Sequence, residues 1–436
     1  MLLLPYDQLM AADFVSVSID LAEGLIARSG IHALGSDEAC WFEVNPKTAE
    51  ELSRVLRLSS KSDQRYSFFP GLLDIDALKA DSVNIFIDFS ALSAVREHVA
   101  SDLVIACETG LTITALNNYL SQFGQRFPVD MGVDSDVSLL DLILTGDGGY
   151  LETGFGFLRS QILGLESVYA DGSVLKTGGR VVKNVTGFDV TKLVIGSRGA
   201  FAFPYLAYLR LAALPEAVAS YLVKSKSNDS TELLAVSTRL LSSGLPLSAL
   251  EIVEIENEYQ LIVQVDGPSQ LVSDLSRQIE RELSGFKFQV IDNSQSQIIL
   301  SSCVASANDY SVEVAASLSL LRELLESLHG KSNNRTRGRL RLRPACGRLY
   351  LHSSSKEQVD SDLALVTTIL GSCRQATDGS ALANWEALTL AARYGLFRTK
   401  SRRLALTSLA ADGLYKRIKE KFDAKQCLNP QANFVG

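Results

Sequence analysis

One segment constrains this chain more than any other: Gly178-Gly179-Arg180-Val181-Val182-Lys183-Asn184-Val185-Thr186-Gly187-Phe188-Asp189, continuing through Lys192-Leu193 to Gly196-Ser197-Arg198-Gly199. Its glycines mark places where a backbone turns with φ > 0 or approaches another group closely. A Lys-Asn pair and an Asp stand between apolar residues, where an ordinary loop would present a solvated polar face. Two uses fit such a segment: a cradle whose backbone N–H groups hold an extended ligand, or a glycine-rich crossover between strands. The residues alone leave both open.

The pattern around this segment predicts an α/β layer first. Trp41-Phe42-Glu43-Val44 reads as a strand and Thr48 with Glu51 opens a helix at capping-box spacing. Val83 to Asp88 and Leu103 to Cys107 read as strands, and Thr112 to Phe123 as a helix with apolar Ile113, Leu116, Leu120 and Phe123. After Pro215 the order becomes β-α-β-β-α-β: Ala219 to Val223, Ser230 to Ser243, Leu247 to Ile255, Tyr259 to Val265, a helix with Pro268 in its first turn, and Phe286 to Ile291. That is a ferredoxin-like unit. A looser second copy follows in Ser311 to Ala315, Leu318 to His329, Arg339 to Arg343, Arg348 to His352 and Ser355 to Leu370, so the two copies are expected to share one antiparallel sheet.

Charge and cysteine usage narrow the function classes. A net charge of −8 argues against nucleic acid as the main partner. Cys40, Cys107, Cys303, Cys346, Cys373 and Cys427 are scattered, so no zinc or iron-sulfur site can be written from them. The start, Met1-Leu2-Leu3-Leu4-Pro5, lacks a basic n-region, and Ala200 to Leu214 is interrupted by Pro204 and Arg210. The expectation is a cytoplasmic protein with no transmembrane segment.

The Gly178 to Gly199 segment, Gly164-Leu165-Glu166-Ser167-Val168-Tyr169-Ala170-Asp171-Gly172 before it and Leu209-Arg210-Leu211 after it resemble the FAD-binding domain of the p-cresol methylhydroxylase and vanillyl-alcohol oxidase superfamily. Within it the pattern is most similar to the E subunit of glycolate oxidase, G-G-R-V-V-K-N-V-x-G-Y-D-L-x-K-L. The likeness continues in Val44-Asn45-Pro46, in Ala100 to Gly110, in Gly124 to Asp130, and in Lys419-Glu420-Lys421-Phe422-Asp423 with Leu428-Asn429-Pro430. It implies an N-terminal extension (1–36), a two-subdomain FAD-binding domain of p-cresol methylhydroxylase type (37–215), an α+β cap (216–400) and a C-terminal segment returning to the first domain (401–436). It further implies non-covalent FAD and oxidation of a 2-hydroxy acid. The implied partners are a glycolate oxidase D-like flavoprotein subunit and an iron-sulfur F-like subunit, with electrons passed onward.

Residue by residue, the resemblance places the cofactor contacts at Pro70, Gly71, Leu72, Ser138, Asp141, Thr145, Gly148, Gly149 and Phe203. The chain departs from the family there. Where the family has P-x-G-G-G-T, this chain has Pro70-Gly71-Leu72-Leu73-Asp74; where it has T-I-G-G, the chain has Ser138-Leu139-Leu140-Asp141. A Cβ at a left-handed position obstructs the approach of a pyrophosphate to backbone N–H groups. A carboxylate at Asp141 would repel it by about 4 kcal/mol at 4 Å in an effective dielectric near 20. The alternative expectation is a structural subunit of the same complex that has lost FAD.

Arg335, Arg337, Arg339, Arg341 and Arg343 recur at period two, which aligns them on one face of a strand. That face would serve a substrate carboxylate or an acidic partner, or it would be a solvated face or charge-protected edge. Of His32, His98, His329 and His352, His352 follows the stripe and is the candidate general base, with Arg341 the candidate carboxylate ligand.

Overall fold

The computed structural model describes residues 25–430, with gaps at 35–36, 62–64, 72–77, 80, 131–136, 180–188, 303–309 and 332–338 and with only parts of 354–408. Its first sheet contains β1 (Ile26–Leu34), β2 (Asp37–Val44), β3 (Tyr66–Pro70) and β4 (Val83–Ile87) in the order β1-β2-β4-β3. β4 runs parallel to both β2 and β3. Strands β3 and β4 are buried along their whole length, which accounts for their continuous apolar reading. Helix α1 (Ala49–Leu56) crosses from β2 to β3, and Thr48 Oγ accepts the Glu51 N–H at 3.1 Å to cap it. β1 pairs with β2 as a hairpin, so this sheet begins inside the span assigned to an N-terminal extension.

The second sheet is antiparallel, with β5 (Val95–Val99), β6 (Val104–Glu108), β8 (Ile162–Val168), β9 (Val174–Gly178) and β10 (Phe203–Arg210) in the order β5-β6-β10-β8-β9. Short strands β7 (Gln125–Arg126) and β11 (Ala212–Ala213) pair beside it. Helices α2 (Ile113–Ser121) and α3 (Leu139–Thr145) pack on one face through Leu116, Leu142, Leu165 and Ala207. A separate apolar cluster joins the two sheets, placing Phe68 and Ile85 of the first against Leu140, Leu144 and Phe203 of the second.

Beyond β11 lies a nine-stranded sheet. Its first half is β12 (Ala217–Lys224), α4 (Ser230–Ser242), β13 (Ala249–Ile255), β14 (Glu258–Gly267), α5 (Ser269–Glu282) and β15 (Lys287–Ile291). The second comprises β16 (Tyr310–Ala315), α6 (Leu318–Lys331), β17 (Arg339–Arg343), β18 (Arg348–Ser353), β19 (Thr389–Tyr394) and β20 (Ser401–Leu404). The order β15-β12-β14-β13-β17-β18-β16-β19-β20 is two ferredoxin-like units joined through β13 and β17. Side chains alternate across this sheet: Leu250, Ile252, Leu340 and Leu342 face the helices, whereas Ala249 and Val253 face Tyr150 and Leu151 of the first domain.

The C-terminal helix α7 (Leu409–Phe422) brings the chain back to β3. Phe68 N–H donates to the Cys427 carbonyl at 2.8 Å and Asn429 N–H to the Phe68 carbonyl at 2.7 Å. Lys419 Nζ, buried, donates to Asp423 Oδ2 at 2.6 Å and to the carbonyls of Ala200 (2.6 Å) and Leu428 (2.7 Å). Burial pulls the Lys419 pKa down, against the pull of Asp423.

Candidate functional site

The first loop starts where β3 ends. Gly71 has φ +106°, donates its N–H to the Ile87 carbonyl at 2.8 Å, and has open space where a Cβ would stand. A phosphate oxygen can approach such a position at the carboxyl end of a parallel strand. Pro70 and the fully buried Phe203 both converge on Gly199, whose added Cβ would lie 2.8 Å from the Phe203 ring and 3.1 Å from Pro70. Leu72 and Asp74 lie outside the described residues.

The second loop is differently committed. Helix α3 spends its first N–H groups internally: Leu139 on the Leu111 carbonyl (2.9 Å), Leu140 on the Thr109 carbonyl (2.7 Å) and Asp141 on Ser138 Oγ (3.2 Å). Asp141 turns back on Ser138, accepting from its N–H at 3.2 Å and its hydroxyl at 2.6 Å, which closes a capping box. Burial raises the Asp141 pKa, partly offset by these Ser138 hydrogen bonds. The acid expected from the sequence to face a phosphate is instead folded back into its own helix cap on Ser138. Thr145 Oγ donates to the Asp141 carbonyl at 2.7 Å, Gly148 N–H to Glu152 Oε1 at 2.9 Å and Gly149 N–H to Asp147 Oδ1 at 3.1 Å. Gly149 sits at φ +73°, where a Cβ would overlap the Asp130 carbonyl. At the first loop the described residues leave steric room for FAD at Gly71, whose own N–H is given to Ile87 while Pro70 has none to give; the second loop's donors are likewise taken by the protein.

The glycine-rich segment that opens the sequence reading serves as a buckle where it is described; residues 180–188 lie outside the described set. Gly178 (φ +68°) interlocks with Leu163 and Gly164, and Lys192 Nζ donates to the Ile162 carbonyl at 2.9 Å and to that of Arg159. Gly196 N–H reaches the Ile143 carbonyl at 2.8 Å and Arg198 N–H the Leu144 carbonyl at 2.9 Å, so the segment's end satisfies carbonyls of the last turn of α3.

Facing the first domain, the nine-stranded sheet carries a buried ionic layer. Arg341 and Arg343 are 4% and 1% exposed on an interior strand, which overturns the solvated-face or edge alternative for these two; Arg335 and Arg337 lie outside the described residues. Glu251 binds both, at 2.8 Å to Arg341 Nε and 2.7 Å to Arg343 Nε. Arg343 Nη1 crosses to the first domain, 2.9 Å from Glu152 Oε2 and 3.3 Å from Asp147 Oδ1. Burial opposes the Arg343 charge, but Glu251, with Tyr350, Asp147 and Glu152, holds its pKa well above the ordinary value. Arg348 stands 3.5 Å from Glu152, 3.9 Å from Asp147 and 3.8 Å from Glu313. His352 is buried and stacks on Tyr350 at 5.7 Å. A second ion pair, Arg126 Nη2 to Asp266 Oδ2 at 2.7 Å, ties the domains further along, with Arg126 5.0 Å above the Phe155 ring.

Sequence reasoning missed Asp147, Glu152, Glu251, Arg348 and Tyr350. One signal was available: Glu251 interrupts the apolar run Ala249 to Val253, which asks for a buried counter-charge. Among the described residues no cluster of His, Cys, Asp and Glu could hold a metal ion, and no helix is long and apolar enough to cross a membrane.

Two subdomains, one with a parallel centre and one antiparallel, under a large antiparallel α+β sheet give the chain the two-subdomain fold of p-cresol methylhydroxylase type. Residues 42–178 match the family model described as FAD binding domain. Mitochondrial D-lactate dehydrogenase [cytochrome] of Arabidopsis thaliana is 27% identical over 216 residues, 48% of this chain and 37% of that protein. A probable mitochondrial D-lactate dehydrogenase of Danio rerio is 33% identical over 156 residues, 35% of this chain and 31% of its own. Mitochondrial D-2-hydroxyglutarate dehydrogenase of Bos taurus is 29% identical over 160 residues, covering 36% and 29%. The match thus spans about a third of each relative's length. Among solved structures, an alkyldihydroxyacetonephosphate synthase superposes with a TM-score of 0.64 at 14% identity over 89% of this chain and 77% of that one. FgChi7B gives 0.64 at 13% identity over 91% and 93%.

Proposed function

We propose that this chain is an FAD-binding oxidoreductase subunit that supports oxidation of a small 2-hydroxy acid of glycolate or lactate type, with electrons passed to partner subunits. The match of residues 42–178 to the FAD binding domain carries the reading, and the dehydrogenases of D-lactate and D-2-hydroxyglutarate among its relatives support the substrate class. FAD, bound without a covalent link, supplies the acceptor for substrate hydride and the relay of electrons. Gly71, with open space where a Cβ would stand and its own N–H given to Ile87, is the described residue beside Pro70 that its phosphates would approach. Phe89 and Phe203, both buried, meet edge to face at 6.4 Å in the apolar cluster that joins the two sheets. Arg341 is tied to Glu251 and His352 is held by Tyr350, so both act by positioning in this reading. The partners we propose are the glycolate oxidase D-like flavoprotein subunit and the iron-sulfur F-like subunit.

The committed donors of the second loop favour a second reading, a structural subunit of the same complex without FAD. Reconstitution separates them. The purified chain is incubated with excess FAD, desalted and examined for protein-bound flavin absorbance, then mixed anaerobically with glycolate or D-lactate alone and with its partner subunits. Stoichiometric flavin that bleaches with substrate in the complex is the expected result. Absence of bound flavin, with normal assembly of the complex, would establish the second reading.

A further inference from the structure

The Glu152 carboxylate occupies a receptor assembled from both domains. Oε1 accepts the backbone N–H groups of Gly148 at 2.9 Å and Leu158 at 3.3 Å, while Oε2 meets Arg343 Nη1 at 2.9 Å and Arg348 Nη1 at 3.5 Å. Gly148 is required for this approach, since an added Cβ would stand 2.9 Å from Oε1. The Glu152 side chain is 1% exposed. Beside it the Tyr350 hydroxyl, in a residue 4% exposed, makes no hydrogen bond, and it lies in the field of Asp147, Arg343, Arg348 and Glu313. Two backbone donors on one oxygen and two guanidinium groups on the other are what a free carboxylate asks of a protein. An unused buried hydroxyl is a further group that a ligand could satisfy.

We propose that this is a small-carboxylate site which the chain keeps closed with its own Glu152. The charges agree. Among the described ion pairs, Arg341, Arg343 and Arg348 face Asp147, Glu152, Glu251 and Glu313, so an additional anion is disfavoured while Glu152 is in place. Removing Glu152 leaves positive and negative groups balanced, and one external carboxylate restores the native count. Acids such as acetate and glycolate are therefore excluded from the intact chain and admitted when the side chain is cut back. The existence of the site does not rest on the function proposed above, and it can be tested without flavin.

The test is chemical rescue of Glu152→Ala, read as thermal unfolding of the full chain against acetate and glycolate, with sodium chloride at matched ionic strength as control. Linkage predicts a saturable stabilisation of the variant, with half-saturation at roughly tenfold lower acetate than any response of the wild type. Adding Arg343→Met to the variant should abolish the response, because the receptor has lost its principal cation. If Glu152→Ala does not fold in chloride, folding restored by acetate during refolding supports the site; a chain unfolded in both salts overturns it. Equal responses of wild type and variant, or a variant that responds no more to acetate than to chloride, also overturn it.

Discussion

Asp141 shows how one buried acid can set a local pH dependence. Its folded-state pKa is raised by burial, above an unfolded value of about 3.9. The neutral form is therefore preferred in the fold, and its stabilising contribution, complete below the unfolded pKa, is lost as pH rises through the folded one. Asp141→Asn, which keeps the shape and removes the charge, should stabilise the chain by about 1 kcal/mol at neutral pH. The gain should vanish near pH 4, and urea unfolding at the two pH values checks both. Arg343 behaves oppositely. It is a charge whose partners Glu251 and Glu152 are themselves buried, and Arg343→Met leaves Glu251 with Arg341 and Glu152 with the more distant Arg348 as their remaining cations, at a cost of about 3 kcal/mol. A drop in the urea midpoint at unchanged slope measures it.

At the scale of elements, the turn after α3 is fixed by steric exclusion. Gly149 combines φ +73° with a Cβ position already filled by the Asp130 carbonyl. Gly149→Ala should therefore cost more than the roughly 1 kcal/mol typical of a substitution, of the order of 3 kcal/mol. Equilibrium unfolding decides, and a loss within the typical range would show that the turn yields. At the other end of the helix, Ser138→Ala should cost about 1 kcal/mol by opening the capping box. These elements were readable in outline, since β-α-β-β-α-β order and the apolar spacing of α2 reflect short-range periodicity. β1, β3, β5, β8, β9, β10, β19 and β20 were among the strands missed: β5, for one, is only partly buried and carries Arg96, Glu97 and His98, so its pattern does not announce a strand.

The whole molecule is held by contacts distant in sequence. Residues 423–429 close onto β3 through Lys419 and Asp423, and the Phe68 amide is bonded to the Cys427 carbonyl. Lys419→Met should loosen that closure and raise hydrogen exchange at the Phe68 amide about tenfold or more; unchanged exchange would mean that the segment docks through Asn429 and Leu428 alone. The Gly178 to Gly199 segment and the Lys419 to Pro430 ending identified the fold from sequence because their glycines and charges answer to fixed backbone geometry nearby. Pro70, Gly71 and Phe203 were named from sequence, and the structure gathers Pro70 and Phe203 around Gly199. The arginine stripe was equally legible as a stripe, yet sequence alone left it open between a ligand face, a partner surface and solvent. Its counter-charges at Asp147, Glu152 and Glu251 lie 191 to 196 positions away for the first domain's acids and 92 for the sheet's own. By itself, then, the sequence determined the alternation of its most regular strands and helices and which backbone positions must be glycine, because propensity, periodicity and φ > 0 are local. Only the tertiary structure decided where the charges are spent, because pairing a buried ion depends on which distant chain segment is folded against it.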